Sequence, residues 1–217
     1  MEKKYNLFLL LFILPIALSA QGLLGNGYLF DKFEDGKAIM KSGQTSKALF
    51  NYNTILEKLL FMSDNEMLEL ANPEQVVLVN INNRIFERVK NSLFYERIQV
   101  GSGTLYIRWK SSSISKGKKG AYGQTYSTSS IDNVNQINSA GNAVKLKSTE
   151  EFDLVVRNAY YLKIDNKFKE FKSPDSLSKL FKGHEDEIKK YIKEQKLDFD
   201  NIEDIKKAVE FSESFIK

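Results

Sequence analysis

The sequence predicts an α+β fold, in which an antiparallel, hairpin-rich β-sheet over about residues 28–171 precedes a helical segment over about residues 173–215. In the first region, short apolar runs rich in β-branched and aromatic residues alternate with Gly, Asn, Asp and Ser, the pattern of strands joined by tight turns. After Ser173, apolar residues recur every three or four positions, the period of an amphipathic helix. Strands followed by helices are typical of the α+β class. A chain of 217 residues without cysteine can bury a sizeable core and must be stable without disulfides.

The first 20 residues have the three parts of a secretory signal peptide. Lys3 and Lys4 form a charged start, Leu7–Leu18 is an apolar run, and Ser19-Ala20 supplies small residues before Gln21. The sequence therefore predicts a signal peptide over residues 1–20 with cleavage between Ala20 and Gln21. The apolar run is shorter than the roughly 20 residues that span a membrane, so no transmembrane span is expected in the mature chain.

Export leads to expectations for location and partners. The protein should be periplasmic, displayed at the cell surface or secreted, and it should not be a lipoprotein, because no cysteine follows the apolar run to accept a lipid. Removing Lys3, Lys4 and Glu2 with the signal peptide takes the 32 basic and 28 acidic side chains to 30 and 27. This small positive excess does not predict a nucleic-acid partner. An uncleaved N-terminal anchor is the alternative, which the glycines after Gln21 disfavour.

The first strands are predicted from turn signals and alternation. Asp35-Gly36 is a strong two-residue hairpin signal, here between Tyr28–Phe33 and Lys37–Met40. Within residues 48–53 the apolar side chains at alternate positions predict a half-buried strand. Ile55–Met62 is apolar on both faces except for two charged residues, and periodicity leaves open whether it is a strand or a helical piece.

The clearest strand signal is Val76–Ile81, whose β-branched residues are apolar on both faces. Asn82-Asn83 follows it and tolerates the positive φ of a tight turn, so Arg84–Val89 should return antiparallel. Gly101-Ser102-Gly103 separates two more apolar runs as a further hairpin. Short strands joined by turns of a few residues predict a meandering antiparallel sheet.

Residues 111–143 differ from the rest of the predicted β domain at 28–172. They are dominated by Ser, Gly, Asn, Thr and Gln and contain one acid, Asp132. Such a composition cannot bury enough apolar surface to offset the entropy of ordering, which predicts a long flexible insertion. Strand patterns resume at Phe152, and Asp165-Asn166 marks a final hairpin.

Residues 173–217 are predicted to form helices packed on the sheet. Ser173-Pro174-Asp175 is a helix start, because Ser caps free amides, Pro suits the first position and Asp opposes the positive helix end. Glu185-Asp186-Glu187 opens a second helix that closes on lysines. Either Asp200 or Asn201 caps a third.

No catalytic residue, metal ligand or cofactor is predicted, and the sequence favours a protein that is not an enzyme. Nucleophilic catalysis by cysteine is excluded, and the single histidine, His184, lies among acids that favour its protonated form. One imidazole without thiolates does not predict zinc. The dense acids from Asp198 to Asp204 lack the glycine and final glutamate of a calcium-binding loop.

One neighbourhood combines basic and aromatic side chains and is the candidate ligand contact. Its members are Trp109, Lys110, Lys116, Lys118, Lys119, Tyr122 and Tyr126. It could meet an anionic polymer such as a cell-surface glycan, or a membrane headgroup, because loops on rigid sheets commonly carry binding. The alternative is that the lysines and tyrosines keep a loop solvated while Trp109 packs in the sheet.

Several stretches resemble a group of exported proteins of Gram-negative bacteria. The resemblance rests on Tyr28–Asp31 with Asp35–Lys37, on Leu49–Asn53, on Arg84–Phe86 and on Lys189–Lys193. It covers most of the mature chain and implies export and a β-rich fold. It implies no activity and transfers no catalytic residue.

Three functions remain open from the sequence. The first is an exported, non-catalytic binding or cell-envelope-associated module whose partner is a glycan, a lipid or a protein. The second is a periplasmic carrier that holds an apolar or lipid ligand between a curved sheet and the helices, in a cavity lined by some of the 15 Phe and 10 Tyr. The third is a hydrolase that uses two carboxylates about 5–10 Å apart.

Overall fold

The computed structural model describes residues 27–115, 118–119, 125–126 and 152–215. The predicted signal peptide at 1–20 and its cleavage point between Ala20 and Gln21 lie outside the described residues, as does most of the predicted insertion.

Fourteen strands and three helices make up the described part of the chain. The strands are β1 (Glu34–Met40), β2 (Thr45–Asn53), β3 (Lys58–Ser63), β4 (Glu66–Glu69), β5 (Val76–Ile81), β6 (Arg84–Lys90), β7 (Leu93–Val100), β8 (Gly103–Arg108), β9 (Ser111–Ser115), β10 (Lys118–Lys119), β11 (Thr125–Tyr126), β12 (Phe152–Val156), β13 (Ala159–Ile164) and β14 (Lys167–Phe171). The helices are α1 (Pro174–Ser178), α2 (Glu185–Glu194) and α3 (Ile202–Glu213), and a short 3₁₀-helix, Pro73–Gln75, precedes β5.

Ten of the strands form one antiparallel sheet. Their order is β14-β13-β8-β7-β6-β5-β1-β2-β3-β4, while β9 pairs with β12 and β10 with β11. Most neighbours in the sheet are also neighbours in the chain, as tight antiparallel hairpins require. The helices follow the last strand, so the predicted α+β class is confirmed.

Two-residue turns of asparagine and aspartate connect several hairpins. At Asn82-Asn83 the backbone φ angles are 43° and 66°, and at Asp165-Asn166 they are 51° and 59°. Asn and Asp enter this left-handed region more readily than other side chains, and turns of this hand match the twist of the flanking strands. The two turns predicted from the sequence are confirmed as the β5–β6 and β13–β14 connections.

The hairpin turn predicted at Asp35-Gly36 is wrong, because both residues lie inside β1. Gly36 is opposite Ala48 of β2 and Ile81 of β5. A Cβ added to Gly36 would lie 2.6 Å from Phe50 Cδ2 and 2.7 Å from the Asn80 carbonyl oxygen. The glycine therefore serves close packing inside the sheet and not a turn.

The segment before β1, predicted as a strand at Tyr28–Phe33, makes a single bridge at Tyr28. Hydrogen bonds from the Asn51 side chain, and not a ladder of strand pairing, hold this segment. Its Nδ2 donates to the carbonyl oxygens of Phe30 at 2.9 Å and Lys32 at 3.1 Å, and its Oδ1 accepts from the Phe30 N–H at 3.2 Å. Because Asn51 is fully buried, these bonds satisfy an amide that water cannot reach.

The stretch Ile55–Met62, which the sequence left open between strand and helix, divides into a turn and strand β3. Asn53 Oδ1 accepts from the N–H groups of Ile55 at 3.0 Å and Leu56 at 2.9 Å. This side chain mimics a backbone turn and starts the reversal. Glu57 ends the turn with a φ of 56°.

The predicted insertion at 111–143 begins later than the sequence indicates. Ser111–Ser115 are strand β9, and they pair with β12 from Ser111 opposite Val156 to Ser115 opposite Phe152. Pairing with an aliphatic strand satisfies the backbone of the serines and outweighs their weak strand propensity. The predicted flexible insertion is therefore wrong for residues 111–115, and most of its remainder lies outside the described residues.

One face of the large sheet carries two apolar clusters. Strands β6, β5, β1 and β2 lie between β7 and β3 in the sheet order, yet β3 is close to β7 in space. The sheet therefore curls on itself. The first cluster fills the curl and contains Phe30, Ala38, Phe50, Tyr52, Leu59, Val76, Val79, Ile81, Phe86 and Phe94. Tyr52 stacks on Phe86 with ring centroids 5.6 Å apart, which joins β2 to β6 across the curl.

The helices cover the other end of the same face. Their cluster joins Val100, Leu105, Ile107, Tyr160, Leu162 and Phe171 of the strands to Leu177, Phe181, Ile188, Ile192, Ile205, Ala208 and Val209 of the helical region. Full burial of a large aliphatic side chain contributes about 1.5–3 kcal/mol. This interface therefore holds the helices on the sheet.

Side-chain caps fix where the helices begin. Ser173 Oγ accepts from the Ser176 N–H at 3.2 Å, with Pro174 at the first position of α1. Asn201 Oδ1 accepts from the Glu203 N–H at 2.9 Å, so Asn201 and not Asp200 caps α3. In the described ranges, no helix combines the length and the apolar composition needed to cross a membrane.

The last turn of α3 presses a carboxyl group against the β7–β8 turn. Glu213 is 9 % exposed, and burial raises the pKa of its carboxyl above the ordinary value of 4.5. A Cβ added to Gly103 would lie 2.2 Å from Glu213 Cδ, so the glycine makes room for the acid. The Glu213 carboxyl disfavours folding least while it is protonated. Its contribution to the free energy of unfolding therefore decreases as the pH rises from 4.5 through the raised pKa of the folded state.

Gly36→Ala should destabilise the fold by about 1–3 kcal/mol, because the new methyl group overpacks the sheet between Phe50 and the Asn80 carbonyl. Urea unfolding measures the change. Lys169→Ala, at an exposed strand position, is the control and should change stability by less than about 0.5 kcal/mol. A Gly36→Ala protein as stable as the control would contradict the packing role.

Glu213→Gln should be more stable than the wild type at pH 7 to 8, because the amide removes a buried charge. The difference should shrink on acidification and vanish below about pH 4.5, where the wild-type carboxyl is protonated in both states. Urea unfolding across this pH range measures it. Glu210→Gln, at an exposed position one turn earlier, is the matched control. A Glu213→Gln difference that does not change with pH would contradict the assignment.

Candidate binding surface

Strands β9 and β12 form a two-stranded ribbon that continues the β8–β13 pair beyond the large sheet. The ladder of backbone hydrogen bonds is interrupted at Trp109-Lys110, between β8 and β9, and at Arg157-Asn158, between β12 and β13. At the break, the Arg157 N–H donates to the Lys110 carbonyl oxygen at 2.7 Å, and Asn158 Oδ1 accepts from the Lys110 N–H at 3.2 Å. These bonds replace the ladder, so the ribbon is joined to the sheet without an unpaired gap.

The base of the ribbon is fastened to the β2–β3 turn. The Ser111 N–H donates to the Thr54 carbonyl oxygen at 3.0 Å. Arg108 donates through Nε and Nη2 to the two carboxylate oxygens of Glu57, at 2.5 and 3.0 Å. Lys110 Nζ lies 3.5 Å from Glu57 Oε1. The Glu57 carboxylate thus contacts both Arg108 and Lys110, the basic residues on either side of Trp109, where the chain leaves the large sheet.

The Glu57 carboxylate affects two titrating groups in this region. Its hydrogen bonds raise the pKa of Arg108, which keeps the guanidinium charged. Burial, aided by the negative charge of Glu57, raises the pKa of Tyr52 and keeps that phenol protonated. The Tyr52 hydroxyl has no hydrogen-bond partner among the described residues. The ion pair therefore lies close to buried Tyr52, a member of the apolar cluster inside the curl.

An aromatic cluster lies on the face of the sheet that carries Arg108, which is two positions after Tyr106 on β8. Tyr95 stacks on Tyr161 with centroids 5.0 Å apart, and the ring of Phe168 meets Tyr106 edge-on at 4.9 Å. Burial raises the pKa of Tyr161 to about 12, and its hydroxyl donates to Glu170 Oε2 at 3.3 Å. Packed rings therefore flank the strand end from which the ribbon continues.

The ribbon itself exposes aliphatic side chains. Ile114 is 48 % exposed and Val156 is 64 % exposed, while Leu154 and Val155 are half-buried. Exposed β-branched residues on a two-stranded ribbon are costly unless something covers them, because such a ribbon is marginally stable by itself. These side chains are the most exposed large apolar groups of the described chain.

Trp109, predicted as a ligand contact, packs inside the protein. Its indole Nε1 donates to Glu96 Oε2 at 2.7 Å, and the Arg84 guanidinium lies 5.1 Å from the centre of its ring. Trp109 contacts both apolar clusters. The alternative considered from the sequence, in which this residue packs in the sheet, agrees with its position.

The other predicted contact residues fall in different places. Lys110 lies at the base of the ribbon. Lys118, Lys119 and Tyr126 belong to β10 and β11, whose side chains are not described, and Lys116 and Tyr122 lie outside the described residues. The structure therefore brings Lys110 to the ribbon base and leaves the rest of the set untested.

Sequence reasoning missed the two ion pairs that organise this region. Glu57 and Arg108 are 51 residues apart, and Arg84 and Glu96 are 12 residues apart on different strands. The only local signal was a charged residue inside an apolar run, since Glu57 interrupts Ile55–Met62. Glu96 is 4 % exposed, and Arg84 donates to both of its carboxylate oxygens at 2.7 and 2.6 Å.

The carrier hypothesis finds no cavity in the described interface between sheet and helices, and the paired-carboxylate hypothesis stays a prediction. The interface between sheet and helices is filled by side chains with no exposure, including Leu105, Leu162, Ile188 and Val209, which leaves no apolar chamber there. Among the carboxylates with little exposure, Glu57 and Glu96 are each bound by an arginine, and Glu213 lies against Gly103. Within the described ranges, no group of three or more His, Cys, Asp or Glu residues could hold a metal ion.

Comparison with known proteins gives no relative: no family model, curated protein or solved structure matches the chain.

Glu57→Ala should destabilise the protein by about 2 kcal/mol, because it leaves Arg108 and Lys110 without a counter-ion. This value lies between the cost of breaking a buried ion pair and the cost of breaking an exposed one. Hydrogen exchange should accelerate in β9 and β12 more than in β5. Lys58→Ala, which removes the exposed Lys58–Glu69 pair, is the control and should cost less than about 1 kcal/mol. Equal exchange in β9 and β12 of both variants would refute the fastening role of Glu57.

Proposed function

We propose that the protein is an exported, non-catalytic binding module of the cell envelope that meets its partner through the β9–β12 ribbon. The observation that carries the proposal is the exposure of aliphatic side chains on both faces of the ribbon, Val156 on one and Ile114 on the other, above a base that Glu57 and Arg108 hold. A rigid platform lowers the entropy lost on binding, because the contact residues are already positioned.

The chemistry of the ribbon favours a protein or lipid surface over a neutral glycan. Its exposed groups are aliphatic, and the serines of β9 add hydroxyl groups between them. Apart from the Ser111 N–H, which donates to Thr54, the outer edges of the two strands form no described backbone pairing, so their remaining N–H and C=O groups can pair with an added strand. A partner that supplies an apolar patch or an extended segment fits this surface.

The proposed location follows from the signal peptide expected at residues 1–20. We place the mature protein in the periplasm, at the cell surface or in the medium, without a lipid anchor. The absence of cysteine supports the last point, because the lipid acceptor is missing from the sequence. Pulse labelling should show a precursor that is converted to a chain beginning at Gln21.

Replacing Ile114 and Val156 with serine should weaken association with native envelope fractions by about tenfold, since each loss of apolar contact is worth roughly a kcal/mol or more. Co-sedimentation of purified protein with these fractions measures it. Val77→Ser is the matched control, because Val77 is 40 % exposed on β5, away from the ribbon. The ribbon is not the contact surface if both proteins bind as the wild type does.

A further inference from the structure

We propose a second binding site, for an acidic sugar residue, in a depression on the outer surface of β1, β2 and β5. The depression is open to solvent and has a volume of about 550 Å³. Its floor is the backbone of Gly36 and Ala48, which lie opposite each other. The depression and the ribbon lie on different strands, so the two proposals can be tested independently.

Two outward-facing pairs form the walls of the depression. Successive side chains of a strand alternate between faces, so the pairs before and after Gly36 and Ala48 point outward. On one side Asp35 is opposite Leu49, and on the other side Lys37 is opposite Lys47. The third strand, β5, contributes Asn80, which lies opposite Lys37.

The two lysines place like charges opposite each other, and Asp35 in the same depression offsets only one of them. Directly opposite residues of an antiparallel pair have Cβ atoms about 4.5–5.5 Å apart, and like charges in that position are destabilising. Both lysines are exposed, and neither forms an ion pair with any residue in the described part of the chain. An anionic group between the two ammonium groups turns this repulsion into attraction.

The remaining groups of the depression fit the rest of a sugar. The Asp35 carboxylate and the Asn80 side-chain amide accept hydrogen bonds from hydroxyl groups, and Asn80 can also donate. Leu49 is 42 % exposed and offers an apolar wall to the C–H face of a ring. A simple anion would use the lysines but would be repelled by Asp35. A sugar that carries a carboxylate or a phosphate uses all of these groups.

The test is titration of ¹⁵N-labelled protein, purified after export, at low salt. The probes are galacturonic acid, glucose 6-phosphate, glucose and inorganic phosphate. We expect both acidic sugars to shift the amide signals of Gly36, Leu49 and Asn80, with glucose giving no response. The tighter of the two acidic sugars identifies a carboxylate or a phosphate as the natural anionic group. Equal responses to glucose and to the acidic sugars would falsify the site.

Lys37→Ala with Lys47→Ala should weaken binding of the acidic sugar at least about fivefold, while the melting temperature stays equal or rises because a like-charge pair is removed. Lys182→Ala with Lys193→Ala removes the same charge from exposed positions of the helical region and should bind within about twofold of the wild type. If the two double variants bind alike, the lysine pair has no such role.

Asp35→Asn separates a sugar site from a general anion site. It should weaken binding of the acidic sugar and strengthen binding of inorganic phosphate, because the lost carboxylate is a hydroxyl acceptor for the first and a repelling charge for the second. A change in the same direction for both ligands would overturn the sugar assignment. This single substitution at an exposed position also gives an answer if the lysine double variant folds poorly.

Discussion

A carboxylate on the apolar face of the sheet is the constraint on which the arrangement of the two clusters depends. Glu96 faces the same side of β7 as Phe94, which belongs to the curled cluster, and Ile98, which packs against the helical cluster. Arg84 compensates its charge through Nε and Nη2, and the Trp109 indole N–H adds a third hydrogen bond. Removing Arg84 would leave a buried charge with only the neutral indole as a donor. The network therefore requires β6, β7 and the end of β8 to meet in one register.

Arg84 links this network to the aromatic side chains around it. Its guanidinium lies 5.0 Å from the ring centre of Phe30 and 5.8 Å from that of Phe86. A guanidinium can stack on an aromatic face while its edge donates hydrogen bonds, whereas an ammonium group cannot do both. The polar contact is thus flanked by apolar rings, and Trp109 packs against both clusters beside it.

Local chemistry explains which parts of the fold could be predicted from the sequence. The turn at Asn82-Asn83 and the cap at Ser173 depend on residues a few positions apart, and both are where the sequence placed them. Asp35-Gly36 has the composition of a turn, but its conformation is decided by Phe50 and Asn80, which pack against the glycine. The site residues follow the same rule. The charge on Glu57 is visible in the sequence, whereas its pairing with Arg108, like the opposition of Lys37 and Lys47, appears only once strand register is known.

The pairing of β8 with β13 has a consequence for how the chain can vary in length. Arg108 lies opposite Ala159, and everything between them leaves and re-enters the sheet through the β9–β12 ribbon. Closing a longer segment costs only about 0.6 kcal/mol for each doubling of its length. A change in length between Ser115 and Phe152 leaves the register of β9 with β12 unchanged, whereas a one-residue slip of the strand that follows Asn82-Asn83 would turn each of its side chains to the opposite face.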